Sequence, residues 1–466
     1  MHRLVFGFPV HEGPAARSVS KRRVPVAVAA LVVLLGVLAP AAAAKTQDTL
    51  PPADVAALCR DLFADTFARP SSEPLADCQW DMALIDADEG ARAHATGEGV
   101  RVGVIDTGVD LTHPDIAPNL DVALSCSFIF SDDPVALPVE MADGDCSNKA
   151  AVQDLVGHGT HVASIIAAPI NGIGIAGVAP DATIVALKAC SVAGFCFVKS
   201  VAAALRYAGD LRLDVVNMSL FADPYLYYCG NDATQREYLR EMQAAARYAQ
   251  QRGVLLVAAA GNESADLGHP ILDPISPDFP LDAAELREVG NHCRVAPAEL
   301  PGVLTVSATG PIGVPGYTTN IASYSTVGVD VAAPGGDYFA ATGTVQDAVL
   351  AAMTSTDEAG LWESFEELPF PGLTVIDSGA RYIYLTGTSM ASPHAAGVAA
   401  LVAEQHPLWG PGALKAAVQR TATFLACPAG WEPLFPEDER LRCYGGGGNT
   451  SFFGHGLVNA AAAATE

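Results

Sequence analysis

Val100-Arg-Val-Gly-Val-Ile-Asp106 is a short apolar run that stops on a carboxylate. Val100–Ile105 is predicted to be a strand, and four other runs share its character: Thr183–Leu187, Val215–Met218, Val254–Ala259 and Val303–Ser307. Each is bounded by Gly, Asp or Asn, and each is too continuously apolar for a strand with one wet face. Among them and after them lie stretches of helical character: His161–Ala168, Val198–Tyr207, Arg236–Gln251, Ala391–Glu404 and Gly412–Ala422. Buried strands alternating with helices imply an α/β fold, a mostly parallel central sheet flanked by helices.

No linker or internal repeat divides the chain beyond Cys78, so residues 78–466 read as one domain. Three stretches interrupt the alternation, at 128–153, 263–300 and 357–382. They are rich in Pro, Gly and acidic residues and are expected to be surface insertions. Residues 45–77 are Pro-, Asp- and Ser-rich, with room for one helix over Ala53–Ala68, and read as a short pro-segment or extension. Residues 1–44 have the form of a signal peptide: five basic residues and Glu12 precede an apolar run from Val24 that closes on Ala41–Ala44. An uncleaved anchor is the competing reading. Pro25, Pro40 and the alanine tail favour cleavage, which implies a secreted chain without lasting membrane contact.

The sequence has 26 Lys and Arg against 52 Asp and Glu, a net charge of −26, and removing residues 1–44 leaves 21 against 51. Nucleic acid is thereby excluded as a main partner, since backbone binding needs a basic surface. All ten cysteines follow the signal-like segment and none forms a C-x-x-C pair. Disulfides are therefore expected rather than zinc–thiolate sites. Pairing sequence neighbours gives Cys126–Cys146, Cys190–Cys196, Cys229–Cys293 and Cys427–Cys443. Cys59 and Cys78 are left over, placed to clamp the N-terminal segment to the main domain.

Ligands of an open parallel sheet bind beyond the carboxyl ends of its strands. That brings Asp106 forward, although a lone acid there also serves as a helix N-cap. His158 lies in VGHGTHVAS between two glycines that leave its approach uncrowded. With His161 it has the spacing of half a metal site, but no third ligand lies nearby. Ser389, in LTGTSMASPHAAGVAALV, starts an apolar helix that tolerates Pro393 in its first turn. That helix end offers N–H groups and a positive dipole. Singly, each residue has a structural explanation. Together, acid, base and nucleophile in the order Asp, His, Ser match one known chain order of the serine-hydrolase triad. Asn262, in LLVAAAGNES at a strand end, can aim its amide at an oxyanion.

VIDTGVDLTHPDI, GHGTHVAS, AAAGNE and GTSMASPHAAG resemble the four signatures of the subtilisin-like serine peptidases, the subtilases. NMSL at Asn217–Leu220 and GHGLVNA at Gly454–Ala460 also fit, so the resemblance runs from about Gln79 to Ala464. It implies a subtilisin-like three-layer fold and a serine endopeptidase acting on protein or peptide. Ser389 would be the nucleophile, His158 the general base, and Asp106 the group that orients the imidazole. Asn262 and the Ser389 N–H would form the oxyanion hole. His161 and His394 are expected in structural hydrogen bonds. No cofactor is expected for catalysis, and the chain is expected to act as a monomer.

The resemblance places the substrate between two backbone edges, Gly194-Phe195-Cys196 and Ser219-Leu220-Phe221. Cys196 and Phe221 stand where the family has glycine. Both are expected to narrow the cleft, though packing against an insertion is the other reading of Phe221. One structural calcium ion is implied, held by Asp115 and Asn171 with nearby carbonyls, although Pro169 and Gly172 depart from the usual loop. Asp154 and the acids of the first insertion (Asp132, Asp133, Glu140, Asp143 and Asp145) are expected to be solvated, with Asp154 as a candidate attractor of a basic substrate residue. A membrane-held processing peptidase and a catalytically silent binding protein are the rival functions, the second opposed by the intact catalytic set.

Overall fold

The computed structural model describes residues 50–356, 358, 370, 372–428 and 441–466. The signal-like segment and part of the third insertion lie outside them. Seven strands form one parallel sheet: β1 (Arg101–Asp106), β2 (Cys126–Ser127), β3 (Thr183–Lys188), β4 (Val215–Met218), β5 (Leu255–Ala259), β6 (Leu304–Thr309) and β7 (Val331–Pro334). Their spatial order is β7-β6-β5-β4-β1-β3-β2. The predicted runs are five of these. The two edge strands, β2 and β7, escape a reading by apolar run because one is two residues long and the other ends in proline.

Alternate side chains of each strand feed different cores, the period-two consequence of a pleated chain. Val102, Val104, Ile184, Ala186, Leu255 and Val257 point to one face. Ile105, Val185, Leu187, Leu256 and Ala258 point to the other. Helices α2 (His158–Ala167), α5 (Thr388–Gln405) and α6 (Pro411–Thr421) cover the first face, and α3 (Val198–Leu211) and α4 (Ala233–Gln250) the second. This is the expected three-layer α/β arrangement. The chain leaves β1 for β3 on one side and later returns to β4 on the other. That reversal opens a crevice at the carboxyl ends of β1 and β4.

The third expected insertion needs correction. Its C-terminal part is not a surface loop: β8 (Val349–Met353), β9 (Thr374–Asp377) and β10 (Ala380–Leu385) form an antiparallel sheet, order β8-β10-β9. Ser378 and Gly379 both adopt positive φ between β9 and β10, as a two-residue type I′ hairpin requires. Val375, Tyr382 and Tyr384 are buried in the first core, and β10 leads directly into α5. The second insertion is braced by short antiparallel pairs, Tyr227–Cys229 with Cys293–Val295 and Leu272–Asp273 with Arg287–Glu288.

The segment ahead of Cys78 is packed, not draped. Helix α1 (Pro52–Phe63) buries Val55, Cys59 and Phe63 in the first core. It ends at Phe63, short of the predicted Ala68. The Trp80 indole N–H donates to the carbonyls of Gln346 (3.1 Å) and Ala348 (3.0 Å). The Ala460 amide donates to the Ile85 carbonyl at 2.7 Å, and Asn459 Nδ2 to Asp86 at 2.7 Å. All ten cysteines are paired: the four neighbour pairs form as expected, and Cys59 bonds to Cys78.

Candidate active site

Asp106 ends β1 and is almost fully buried. Its Oδ1 accepts the Thr107 N–H at 2.7 Å and meets His158 Nδ1 at 2.7 Å. His158 opens α2, because Gly157 before it takes φ 102° and stops the helix from extending backward. At Gly159 a Cβ would lie 2.0 Å from the Gly108 carbonyl, so only glycine lets the helix approach the loop after Asp106 this closely. Burial disfavours the charged imidazole, but the Asp106 carboxylate, by charge and hydrogen bond, and the charge of Asp154 hold the His158 pKa above its usual 6.5.

Ser389 is the second residue of α5. Its Oγ donates to the Ser219 carbonyl at 3.3 Å rather than to His158. Pro393 lies inside the helix and has no N–H for the Ser389 carbonyl four residues earlier. The Ser219 hydroxyl takes over that role, donating to this carbonyl at 2.8 Å. It accepts from Asn217 Nδ2 at 2.9 Å and contacts Ser392 Oγ at 2.8 Å. Ser219 follows β4, so the strand end grips the helix start.

Asn262 follows β5. Its Oδ1 accepts both the N–H and the hydroxyl of Thr388, each at 2.9 Å. With the oxygen committed to Thr388, the residue before Ser389, the amide keeps its two N–H donors for a ligand. Asp106, Ser219 and Asn262 thus stand at the carboxyl ends of β1, β4 and β5, facing His158 and Ser389 on α2 and α5.

The expected substrate edges fare unequally. Cys196 commits its amide to the Asp223 carboxylate and its carbonyl to the Asp223 N–H (3.0 Å), and its sulfur is bonded to Cys190. That commits its N–H to Asp223, two residues beyond the second edge. Gly194 is half-buried, and the Phe195 ring is buried between Phe197 and Phe279, with centroids 5.7 and 5.6 Å away. Leu220 and Phe221 pack half-buried against the second core.

Two acids were misread as solvated. Asp154 is fully buried, and its oxygens accept from Thr107 Oγ1, Val156 N, Gly157 N, Thr160 N and Thr160 Oγ1. It shapes the loop before His158 and has no face toward a substrate. Glu140 is also buried, with Oε1 2.9 Å from the Nζ of buried Lys188. Asp132, which is exposed beside Lys199, does fit the solvated reading. His161 and His394 make structural bonds, to the carbonyls of Ile383 (3.1 Å) and Met390 (2.7 Å), and His394 Nε2 lies 3.0 Å from Asp81.

Asp115 and Asn171 lie together: Asn171 Nδ2 donates to Asp115 Oδ1 at 3.2 Å. Asp115 Oδ2 accepts from Ile175 N at 3.1 Å and Tyr382 OH at 3.0 Å. Burial, reinforced by the Glu73 charge, pushes the Asp115 carboxyl up to about 7. Glu73 binds the Gly172 N–H at 3.1 Å through Oε1, while its buried Oε2 has no hydrogen-bond partner among the described residues. Sequence reading missed Glu73, which sits in the N-terminal segment with no motif around it.

Residues 97–456 match the model of the subtilase family. The chain belongs to that family and is a subtilisin-like serine protease. It is 31% identical to M-protease of Shouchella clausii over 82% of this chain and 69% of that protein. It is 30% identical to subtilisin Savinase of Lederbergia lenta over 82% of this chain and 97% of that protein. Among solved structures it is similar to fervidolysin of Fervidobacterium pennivorans, described as a keratinolytic enzyme related to subtilisin, with a TM-score of 0.57 and 26% identity over 86% of this chain. The match spans 47% of the fervidolysin chain.

Proposed function

We propose that the protein is a secreted serine endopeptidase of restricted specificity that cleaves peptide bonds through an acyl-enzyme. The observation that carries the reading is the 2.7 Å Asp106–His158 contact at the same sheet edge as Ser389 and Asn262. Ser389 Oγ attacks the scissile carbonyl carbon while His158 Nε2 takes its proton. Asp106 holds the ring through Nδ1 and stabilises the imidazolium. The oxyanion receives hydrogen bonds from Asn262 Nδ2 and the Ser389 N–H. As the C–N bond breaks, the amine leaves with the proton from His158. Water, deprotonated by the same imidazole, then hydrolyses the ester and releases the acid.

Cys196, locked to Asp223 and bonded to Cys190, supports restricted access along its edge. Five disulfides support an oxidising compartment. Among the described residues no helix is long and apolar enough to cross a membrane. Calcium fits the Asp115 corner: a hard cation would give Glu73 Oε2 a partner and relieve the buried Asp115 charge, with Asn171 turning its Oδ1 inward. Asp115, Glu73 and Asn171 would hold it, and it would supply stability rather than chemistry.

The test is labelling by a fluorophosphonate, with the adduct located by mass spectrometry. Labelling at Ser389 that disappears in Ser389→Ala, together with peptide hydrolysis lost by a factor on the order of 10⁶, is the expected result. A folded protein that neither labels nor cleaves would refute the reading.

A further inference from the structure

We propose that Glu140, in the first insertion, is a positioning residue for the Asp106–His158 pair, acting through Lys188 and Thr107. The inference rests on the triad reading above. Lys188 ends β3 in direct register with Asp106. Its Nζ, fully buried, donates to the Thr107 carbonyl at 2.6 Å and the Gln153 carbonyl at 3.1 Å, and lies 2.9 Å from Glu140 Oε1. Thr107 uses every other polar group it has on the site. Its N–H donates to Asp106 Oδ1, its hydroxyl donates to Asp154 Oδ1 at 2.9 Å, and the same hydroxyl accepts the Gly159 N–H at 2.9 Å. One residue therefore touches the acid, the loop before His158 and the helix that carries it, and its carbonyl is gripped by the ammonium.

A buried ammonium is costly without an anion beside it. The insertion brings one in: Glu140 Oε2 is fixed by the Leu137 N–H at 2.9 Å, and Cys126–Cys146 ties the loop to the edge of the sheet. The charges acting on His158 are those of Asp106 on β1 and Asp154 in the preceding loop; His161 on its own helix is held neutral by burial, and Lys188 acts on Asp154 with Glu140 beside it. Lys188 and Glu140 have opposite signs and, 2.9 Å apart, offset one another's field. Removing either one exposes the other's field.

The experiment is the pH dependence of kcat/KM for peptide hydrolysis. Activity abolished by Ser389→Ala establishes first that the assay reads this site; persistence there would refute the triad reading instead. Glu140→Gln uncovers a cation, favours the neutral imidazole, and is expected to move the acid limb to lower pH by about half a unit. Lys188→Met uncovers an anion and is expected to move it by about as much to higher pH. Opposite shifts are the mark of a charge pair; a merely loosened loop has no reason to produce them. Two folded variants whose limbs stay put, or move the same way, would overturn the proposal. Where a single variant does not fold, Glu140→Leu with Lys188→Met removes both charges at once. A limb at the wild-type position with a lowered kcat then supports the proposal, and a displaced limb or an unchanged kcat overturns it.

Discussion

Asn262 shows how one side chain acquires a direction. Both hydrogen-bonding groups of Thr388 hold its oxygen, so rotation of the amide is blocked and its N–H groups remain as donors. Asn262→Ala is expected to lower kcat by about 10²–10³ with little change in KM, because the donor acts where charge develops and not on the resting carbonyl. A KM effect with kcat intact would assign Asn262 to substrate binding. Asp106, His158, Ser389 and Asn262 were legible because strand ends and helix starts leave a local signature. Asp154 and Glu140 were not, since a carboxylate reads as solvated until its partners are known. Those partners (Thr107, Thr160 and Lys188) arrive from other elements.

At the scale of elements, the loop between β1 and β2 carries the clearest pH consequence. Burial holds Asp115 at about 7, above its value in an unfolded chain, so the folded protein keeps a proton that the unfolded one has lost. That contribution to stability is complete below pH ~4 and fades as pH rises through about 7. Calcium is expected to raise the melting temperature, by more at pH 8 than at pH 5, and Asp115→Asn is expected to abolish the difference. Melting curves insensitive to calcium and chelator at both pH values would remove the metal from the account. Elements with long apolar runs were readable ahead of the structure. The β9–β10 hairpin was not: its acidic and glycine-rich surroundings masked strands that pair only with each other and with β8.

For the whole molecule, the question is what holds the N-terminal segment. Helix α1 lends the first core Val55, Cys59 and Phe63, and Cys59–Cys78 crosses the boundary where a pro-segment would be cut. Replacing both cysteines by serine is expected to cost about 3 kcal/mol, seen as a fall in melting temperature. A variant that melts with the wild type would mean that the disulfide adds nothing to what the buried face of α1 supplies. The neighbour pairing of the other cysteines was legible because loops of 6 to 64 residues close easily. The packing of residues 50–77 was not, because a Pro- and Asp-rich composition conceals a few well-placed apolar side chains.

The bonds from Ile85 to Ala460 and from Asp86 to Asn459 join residues 375 and 373 positions apart. A chain made from its N-terminus must therefore carry Ile85 and Asp86 without these partners until almost everything else has been made. Closure of so long a loop is slow, and the helix bearing Ser389 packs against those same late-arriving residues. A protease built this way completes the packing behind its nucleophile helix only near the end of its own synthesis.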